Sequence, residues 1–380
     1  TTKSQVGNSK VAFVSYEALA QDVKVGETIL LDDGKIILEV VESNKIDTVR
    51  TMVRFGGVLT SRKGVNLPNT VLTLPSLTPK DREDVQVAIA EKVEWIALSF
   101  VRKASDIEQL RELLVAQGCE ARLISKIEKP EAIERIDDII LKSDGLMVAR
   151  GDLGVEMPIE EVPELQKMMV SKCRAASKPV IIATQMMESM TENIRPTRAE
   201  VSDVANSVLD GADALMLSGE TSVGMHPIKV VEAMGRIIAQ VETGNAYESK
   251  SYVADPATAR SISDAICYQA CGLANQMNAA ALITMTHSGY SGFKVSSYRP
   301  DTNIFVFTRN RSILNTLSLL WGVRGFYYDG FVSTDDSITD IHEILVGEEF
   351  LEPGDLVVNI ASIPIKAQGM TNMVKLSLIP

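Results

Sequence analysis

Residues 143–157 read SDGLMVARGDLGVEM, and the fold turns on where that stretch is divided. Gly145 to Ala149 carry no charge and read as a buried strand, while Arg150, Asp152 and Glu156 follow at once with Gly151 and Gly154 between them. Charge inside a core is costly unless it is paired or holds a metal. The strand is therefore expected to end where the charges begin. Four neighbouring stretches repeat the pattern. WIALSF (95–100) ends in Ser99-Phe100 and is followed by Arg102-Lys103. RLISKIE (122–128) ends with Lys126 and Glu128, PVIIAT (179–184) with Thr184 and then Gln185, and ALMLSG (214–219) with Ser218-Gly219 and then Glu220.

Helical segments separate these strands. In LTPKDREDVQVAIAEK, Thr78 is placed to cap and Pro79 to take the first helical position. In PTRAEVSDVANSVLDG, Thr197 and Glu200 have capping-box spacing and Gly211 can end the helix. Alternating strands and helices imply a parallel sheet with right-handed crossovers. In a β/α barrel the strand C-termini converge on one face, where active sites are built. The polar strand ends are accordingly expected to line a mouth.

Two other zones flank this one. Residues 1–71 read as a small all-β module, with strands expected in KVAFVSYEAL, ETILLDDGKIILEVVES and DTVRTMVRFGG, and Asp33-Gly34 as a hairpin turn. It ends at KGVNLPNT, where Gly64 and Pro68 mark a hinge. Residues 72–240 hold the five strands above. Residues 241–380 read as a separate α/β domain: a helix near 258–277, then strands ALITMT, NIFVFT, GFYY, DLVVNIA and VKLSLI. The expected fold class is α/β, a partial TIM-type barrel with an all-β lid domain and a C-terminal α/β domain.

Composition narrows the function. The 380 residues are 45% hydrophobic and 23% charged, as in ordinary soluble proteins. A formal net charge of -12 gives no global attraction for nucleic acid or anionic membranes. An anionic substrate must then be held by local cations or a metal. The four cysteines, Cys119, Cys173, Cys267 and Cys271, form no CxxC pair and suit a reducing cytoplasm. Cys267 and Cys271, four apart on a helix, read as core residues rather than a zinc half-site. His226, His287 and His342 are scattered, which argues against a histidine-rich metal site. No run of 18 apolar residues and no signal peptide is present.

The strand ends suggest a chemistry. Glu128 and Asp152 offer only acceptor oxygens and suit a hard cation such as Mg²⁺, which takes one or two protein carboxylates and leaves its other positions to water and phosphate. Lys126, two residues before Glu128, points to the same side of its strand. A cation beside a carboxylate-bound metal is what phosphoryl transfer requires. Gly151 and Gly154 let the backbone approach a ligand. For any one strand a cap or salt bridge explains such residues equally well. Five strands ending alike favour a site.

Taken together, KGVNLP, ISKIEKPEAI, MVARGDLGVEMP, ATQMMESM and RPTRAEVSDVANSVLDGADALMLSGET resemble the pyruvate kinase family, in the family's order from the first zone to the C-terminus. The resemblance implies phosphoryl transfer from phosphoenolpyruvate to ADP, giving pyruvate and ATP, with Mg²⁺ or Mn²⁺ and with K⁺. Lys126 would stabilise the phosphoryl group in flight, and Glu128 and Asp152 would hold the divalent metal. Arg150, Gly151 and Asp152 would receive the substrate carboxylate. Thr184 would sit near the carbon that is protonated, with Ser218 and Glu220 in the polar network behind it. Lys63 and Asp32, on a lid that closes over the site, would face the nucleotide, with Asp33 beside them. In the third zone Thr286, Ser288, Gly289 and Ser291 would form an effector-phosphate turn at a helix N-terminus, and Lys366 would lie on a nearby loop. Serine and glycine are equally ordinary helix-start residues, so that assignment stays open. The family's homotetramer and cytoplasmic location follow from the resemblance alone.

Three departures qualify it. Lys129 stands where the family usually has Asn, with little effect expected. Tyr290 stands where regulated members carry a basic residue. A closed barrel needs eight strands, and five are found. The family's first three strands, with its K⁺ ligands, match no residue here, and the chain begins Thr1-Thr2-Lys3. The expectation is a truncated form with little activity alone. The alternatives are a ligand-binding remnant without catalysis, or a Mg²⁺-dependent barrel aldolase or lyase acting on 2-oxo acids.

Overall fold

A computed structural model describes residues 1–70, 73, 75–244, 259–364 and 370–380. Lys366 lies outside these residues, as does the expected 71/72 boundary.

Strands β1 (Thr28–Leu31), β2 (Ile36–Ser43), β3 (Val49–Phe55) and β4 (Val65–Asn66) form an antiparallel sheet of order β3-β2-β1-β4. The β1–β2 turn takes left-handed backbone at Asp32, Asp33 and Gly34, as a tight hairpin at Asp-Gly requires. Leu19, Val23, Ile29, Leu31, Ile36, Val40 and Leu67 form the core beneath this sheet. The strand expected in KVAFVSYEAL does not form. Val11 and Phe13 remain more than a third exposed, so their alternation has no surface to bury against. The segment runs as loop into a one-turn helix, Leu19–Asp22, and the Tyr16 hydroxyl donates to Asp22.

The five strands read from the sequence are β5 (Trp95–Leu98), β6 (Arg122–Ile127), β7 (Gly145–Ala149), β8 (Val180–Ala183) and β9 (Ala214–Met216), in one sheet of order β5-β6-β7-β8-β9. β5 and β6 pair in parallel, from Trp95↔Arg122 to Leu98↔Ser125. Every residue of β7 and β8 is buried, the mark of strands covered on both faces. Arg150–Glu156 is a short helix that starts directly at the end of β7. The expected caps are present. Thr78 and Asp81 form a capping box on Pro79–Ala90, and Thr197 and Glu200 one on Arg198–Asp210.

Gly211 ends that second helix at φ 96°, and a Cβ there would meet Arg174 Cδ at 2.8 Å. Gly211→Ala is expected to cost about 1–3 kcal/mol, the range for a side chain held in a sparsely populated backbone region. Urea unfolding measures it, and a change below about 0.5 kcal/mol would show that the cap tolerates a side chain.

The C-terminal strands β10 (Ala281–Met285), β11 (Asn303–Thr308), β12 (Val323–Tyr327), β13 (Leu356–Ala361) and β14 (Met373–Leu378) form a sheet of order β12-β11-β10-β13-β14, parallel except for β14. Its core includes Ile283, Phe305, Phe307, Ile341, Leu345 and Val357. Cys267 and Cys271 are buried on the helix Ser261–Gln276 as expected, and burial pushes the Cys267 thiol up to about 12.

The chain divides into two compact units. The first comprises Thr1–Ser143, Met147–Met169 and Ala183–Gln185, and the second Asp144–Leu146, Val170–Ile182 and Met186–Pro380. The helix Pro227–Gly244 continues through the 240/241 boundary expected from the sequence.

Candidate active site

In the first unit, the ends of β5 and β6 bring Ser99, Lys126 and Glu128 into one contacting group, and the ends of β7 and β8 bring Arg150, Gly151 and Thr184 into another, with Asp152 next after Gly151. Lys126 projects from β6, and its Nζ lies 2.6 Å from Glu128 Oε1 and 2.8 Å from Ser99 Oγ. The two-residue spacing does put both side chains on one side. Glu128 Oε2 accepts the Phe100 N–H at 2.6 Å. The Lys126 side chain is 24% exposed and that of Glu128 only 1%. Burial raises the Glu128 carboxyl above its ordinary value. Lys126 pulls the other way, and the nearby charge of Asp152 adds to the rise.

The second group surrounds the first turn after β7. Gly151 N–H donates to Thr184 Oγ1 at 2.6 Å, and Arg150 Nη2 donates to the Thr184 carbonyl at 2.9 Å. A Cβ at Gly151 would sit 3.1 Å from Thr184 Oγ1, so glycine is what lets the two segments approach. Thr184 and Gln185 both hold left-handed backbone, at φ 71° and 55°, as does Phe100 at 53°. For a β-branched threonine this is a strained conformation, and such strain gathers at functional sites.

Two of the strand-end charges, Glu128 and Glu220, are buried rather than open to solvent, as are Lys129 and Glu156. Each answers the cost of burial with a partner. Glu128 has Lys126, and Lys129 has Glu156 at 2.5 Å. Glu220, in the second unit, accepts the N–H groups of Met187 at 3.0 Å and Ser218 at 2.7 Å. Its carboxylate is thereby committed to fixing the turns after β8 and β9. Lys129 is likewise more than a flanking residue, since it neutralises a buried carboxylate. The pairing was hidden because Lys129 and Glu156 are far apart in sequence. The one available signal was that Glu156 falls one helical turn after Asp152.

On the lid sheet, Lys63 Nζ pairs with Asp32 Oδ1 at 2.9 Å, and Lys35 reaches Asp32 Oδ2 at 3.5 Å. The hydrogen bond from Lys63 leads the effects that lower the Asp32 carboxyl and raise the Lys63 ammonium. A cavity of about 1140 Å³ in this unit is lined by Asp33, Gly64 and Asn66 of the lid zone and by Ser99, Phe100, Lys129 and Asp152 of the strand ends.

In the C-terminal sheet, β10 leads through Gly289, at φ 80°, into the helix Tyr290–Tyr298. Thr286 Oγ1 accepts the Gly289 N–H at 3.1 Å, and Ser288 is exposed. Ser291 does not face solvent. It is 1% exposed, and its hydroxyl pairs with that of Thr284 at 2.6 Å, which corrects its reading as a phosphate contact. Tyr290 donates to Asp264, which also pairs with Lys294 at 3.2 Å.

Glu128 and Asp152 fit a hard divalent cation in donor type and number. Among the described residues, no three or more His, Cys, Asp or Glu gather as a larger metal-binding group. Nor, among them, is any helix long and apolar enough to cross a membrane.

An α/β protein with a small antiparallel sheet and with a lysine and two carboxylates at its strand ends belongs to the class suited to metal-assisted chemistry on anionic substrates. Comparison with known proteins makes the class specific. The family model "Pyruvate kinase, barrel domain" matches residues 1–231, and "Pyruvate kinase, alpha/beta domain" matches residues 264–377. The chain belongs to the pyruvate kinase family. It is 42% identical to a pyruvate kinase of Geobacillus stearothermophilus over 98% of this chain and 64% of the relative. It is 40% identical to one from Clostridium acetobutylicum over 98% of this chain and 79% of the relative. A crystal structure of a pyruvate kinase from Cryptosporidium parvum superposes with a TM-score of 0.87 at 34% identity, covering 96% of this chain and 75% of that one. The chain thus spans just under two thirds of the length of the Geobacillus relative. The expectation of a truncated, weakly active form gains no support from these matches. Family membership sets aside the aldolase or lyase alternative.

Proposed function

We propose that the protein transfers a phosphoryl group from phosphoenolpyruvate to ADP, giving pyruvate and ATP, as a cytoplasmic enzyme of glycolysis. The observation that carries this reading is the 2.6 Å pair of Lys126 with the buried Glu128 beside Asp152. Glu128 and Asp152 would hold Mg²⁺ or Mn²⁺, which supplies charge neutralisation for the bound phosphate. Lys126 places a fixed positive charge where the migrating group becomes most electron-rich, in a partly dehydrated setting where such a charge acts strongly. The Gly151 and Asp152 backbone, with Arg150, orients the substrate carboxylate. The Thr184 hydroxyl, held against Gly151, stands where a proton can be delivered to the product carbon. Ser218 is assigned to the same proton delivery, and Glu220 holds the turn around Ser218 in shape through its backbone bonds. Lys63 and Asp32 exchange their mutual pairing for contact with the nucleotide and its metal when the lid closes and excludes water.

The same reading covers the remaining features. Residues 1–71 serve as the lid, 72–240 as the catalytic part and 241–380 as a regulatory domain. Thr286, Ser288 and Gly289 remain the candidate effector-phosphate turn. K⁺ dependence and assembly as a homotetramer follow the family.

The test is pyruvate formation from phosphoenolpyruvate. Turnover is expected only when ADP and a divalent metal are both present. EDTA should abolish it, and added Mg²⁺ or Mn²⁺ should restore it. Pyruvate released without ADP, or unchanged by chelation, would overturn the reading.

A further inference from the structure

The proposed chemistry leaves a buried polar cluster of the first unit unused. Lys129 Nζ lies 2.5 Å from Glu156 Oε1, and the same oxygen accepts a hydrogen bond from Asn66 Nδ2 at 3.1 Å. The Lys129 and Glu156 side chains are 9% and 1% exposed, and Asn66 is 9% exposed. Both donors converge on Oε1, while Oε2 is buried with no hydrogen-bond partner among the described residues. The carboxylate is therefore held through one oxygen by two donors, and losing either leaves it poorly satisfied.

Three separate stretches of chain meet at this oxygen, all within the first unit. Lys129 directly follows Glu128 at the end of β6. Glu156 closes the helix Arg150–Glu156, one turn beyond Asp152. Asn66 ends β4, and its backbone pairs with Leu30 of the lid sheet. A single carboxylate thus joins the lid sheet to the two segments that carry Glu128 and Asp152. A buried ion pair is an inefficient way to gain stability, because apolar residues of similar volume often serve as well. What such a pair supplies is a fixed geometric relation between the segments it joins.

We propose that Lys129, Glu156 and Asn66 form a latch, a set of positioning residues that holds the hinge after Lys63 in register with the strand ends carrying the metal carboxylates. This rests on the phosphotransferase reading of that site. Lys63 lies three residues before Asn66, so a fixed Asn66 confines Lys63 to within roughly 10 Å of it. Releasing the latch frees the lid's lysine without touching Lys126, Glu128 or Asp152.

Two variants test this. Asn66→Ala removes one bond and no charge. Lys129→Met/Glu156→Met replaces the ion pair with apolar volume and is expected to keep most of the stability. In both, amide hydrogen exchange at residues 63–67 should rise about tenfold, the effect of losing one hydrogen bond to a charged group. The KM for ADP should rise with it. Mn²⁺ affinity and the KM for phosphoenolpyruvate should stay within about twofold of wild type, since neither ligand is held by the latch. Hinge exchange unchanged in both variants would overturn the latch. A wild-type protein that makes no pyruvate would instead overturn the phosphotransferase reading, and the exchange data would still decide the latch.

Discussion

Lys126→Met is expected to lower kcat by about 10³-fold or more, with a much smaller change in the KM for phosphoenolpyruvate. The split follows from where the charge acts. On the proposed function, an ammonium fixed at the end of β6 adds little to the ground-state binding assigned to Arg150 and the Gly151–Asp152 backbone. It contributes most when charge spreads over the migrating phosphoryl group. Methionine keeps the length and apolar stem of lysine, so the loss is one of charge. The substitution also leaves Glu128 buried with only the Phe100 N–H on its other oxygen. The folded carboxyl already lies above its ordinary value of 4.5 because of burial, and losing Lys126 raises it further. For a group whose folded value is raised, the stability it contributes is fully present below the unfolded value and is lost as pH rises through the folded one. The variant's stability deficit should therefore be absent below about pH 4.5, grow as the pH rises past the wild-type folded value, and level off above the variant's higher one. Steady-state kinetics and urea unfolding across pH check the two halves separately. A kcat within tenfold of wild type would remove Lys126 from the mechanism.

The alternation of strands with capped helices was readable because it rests on local signals. Largely apolar runs ending in polar residues marked all five strands of the central sheet, and Thr78, Thr197 and Gly211 marked helix ends by their own chemistry. The Lys126–Glu128 pair was readable for the same reason, since its geometry is set within one strand. KVAFVSYEAL misled because alternation implies a strand only when something covers one of its faces. The burial of Glu156 and Glu220, and the left-handed backbone at Phe100, Thr184 and Gln185, depend on segments distant in sequence. No local pattern encodes such placements. Residues grouped within one strand were thus easier to read than the distant segments that pack against them. Ser291 failed for the same reason, as a local motif gave no sign that its hydroxyl turns inward to Thr284.

Arg299→Met is expected to destabilise the second unit by about 3–5 kcal/mol, the range for breaking a buried ion pair from one side. The Arg299 and Asp213 side chains are 0% and 5% exposed and lie 3.1 Å apart. Arg299 also donates to the Gly211 carbonyl at 2.8 Å and to the Ser296 carbonyl at 2.6 Å. Asp213 in turn accepts the N–H groups of Trp321 at 3.2 Å and Val180 at 3.0 Å. This network gathers the start of β8, the approach to β9 and the end of the helix Tyr290–Tyr298 around one charge pair. Arg299 itself takes left-handed backbone at φ 52°, a conformation that an arginine holds only when its surroundings over-determine it. Removing the guanidinium strands the Asp213 carboxylate in the interior. The double variant Arg299→Met/Asp213→Leu, which removes both charges, should recover much of the loss. Urea unfolding of wild type, both single variants and the double variant measures the coupling. Arg299→Met within about 1 kcal/mol of wild type would show that the pair is dispensable. On the proposed function the consequence extends to turnover, because Ser218 and Glu220 follow β9 directly. A partly loosened unit should lose the Glu220 bonds to Met187 and Ser218, and turnover should fall before global unfolding begins. A kcat that declines only in step with the unfolded fraction would show that the network stabilises the unit without shaping the turn.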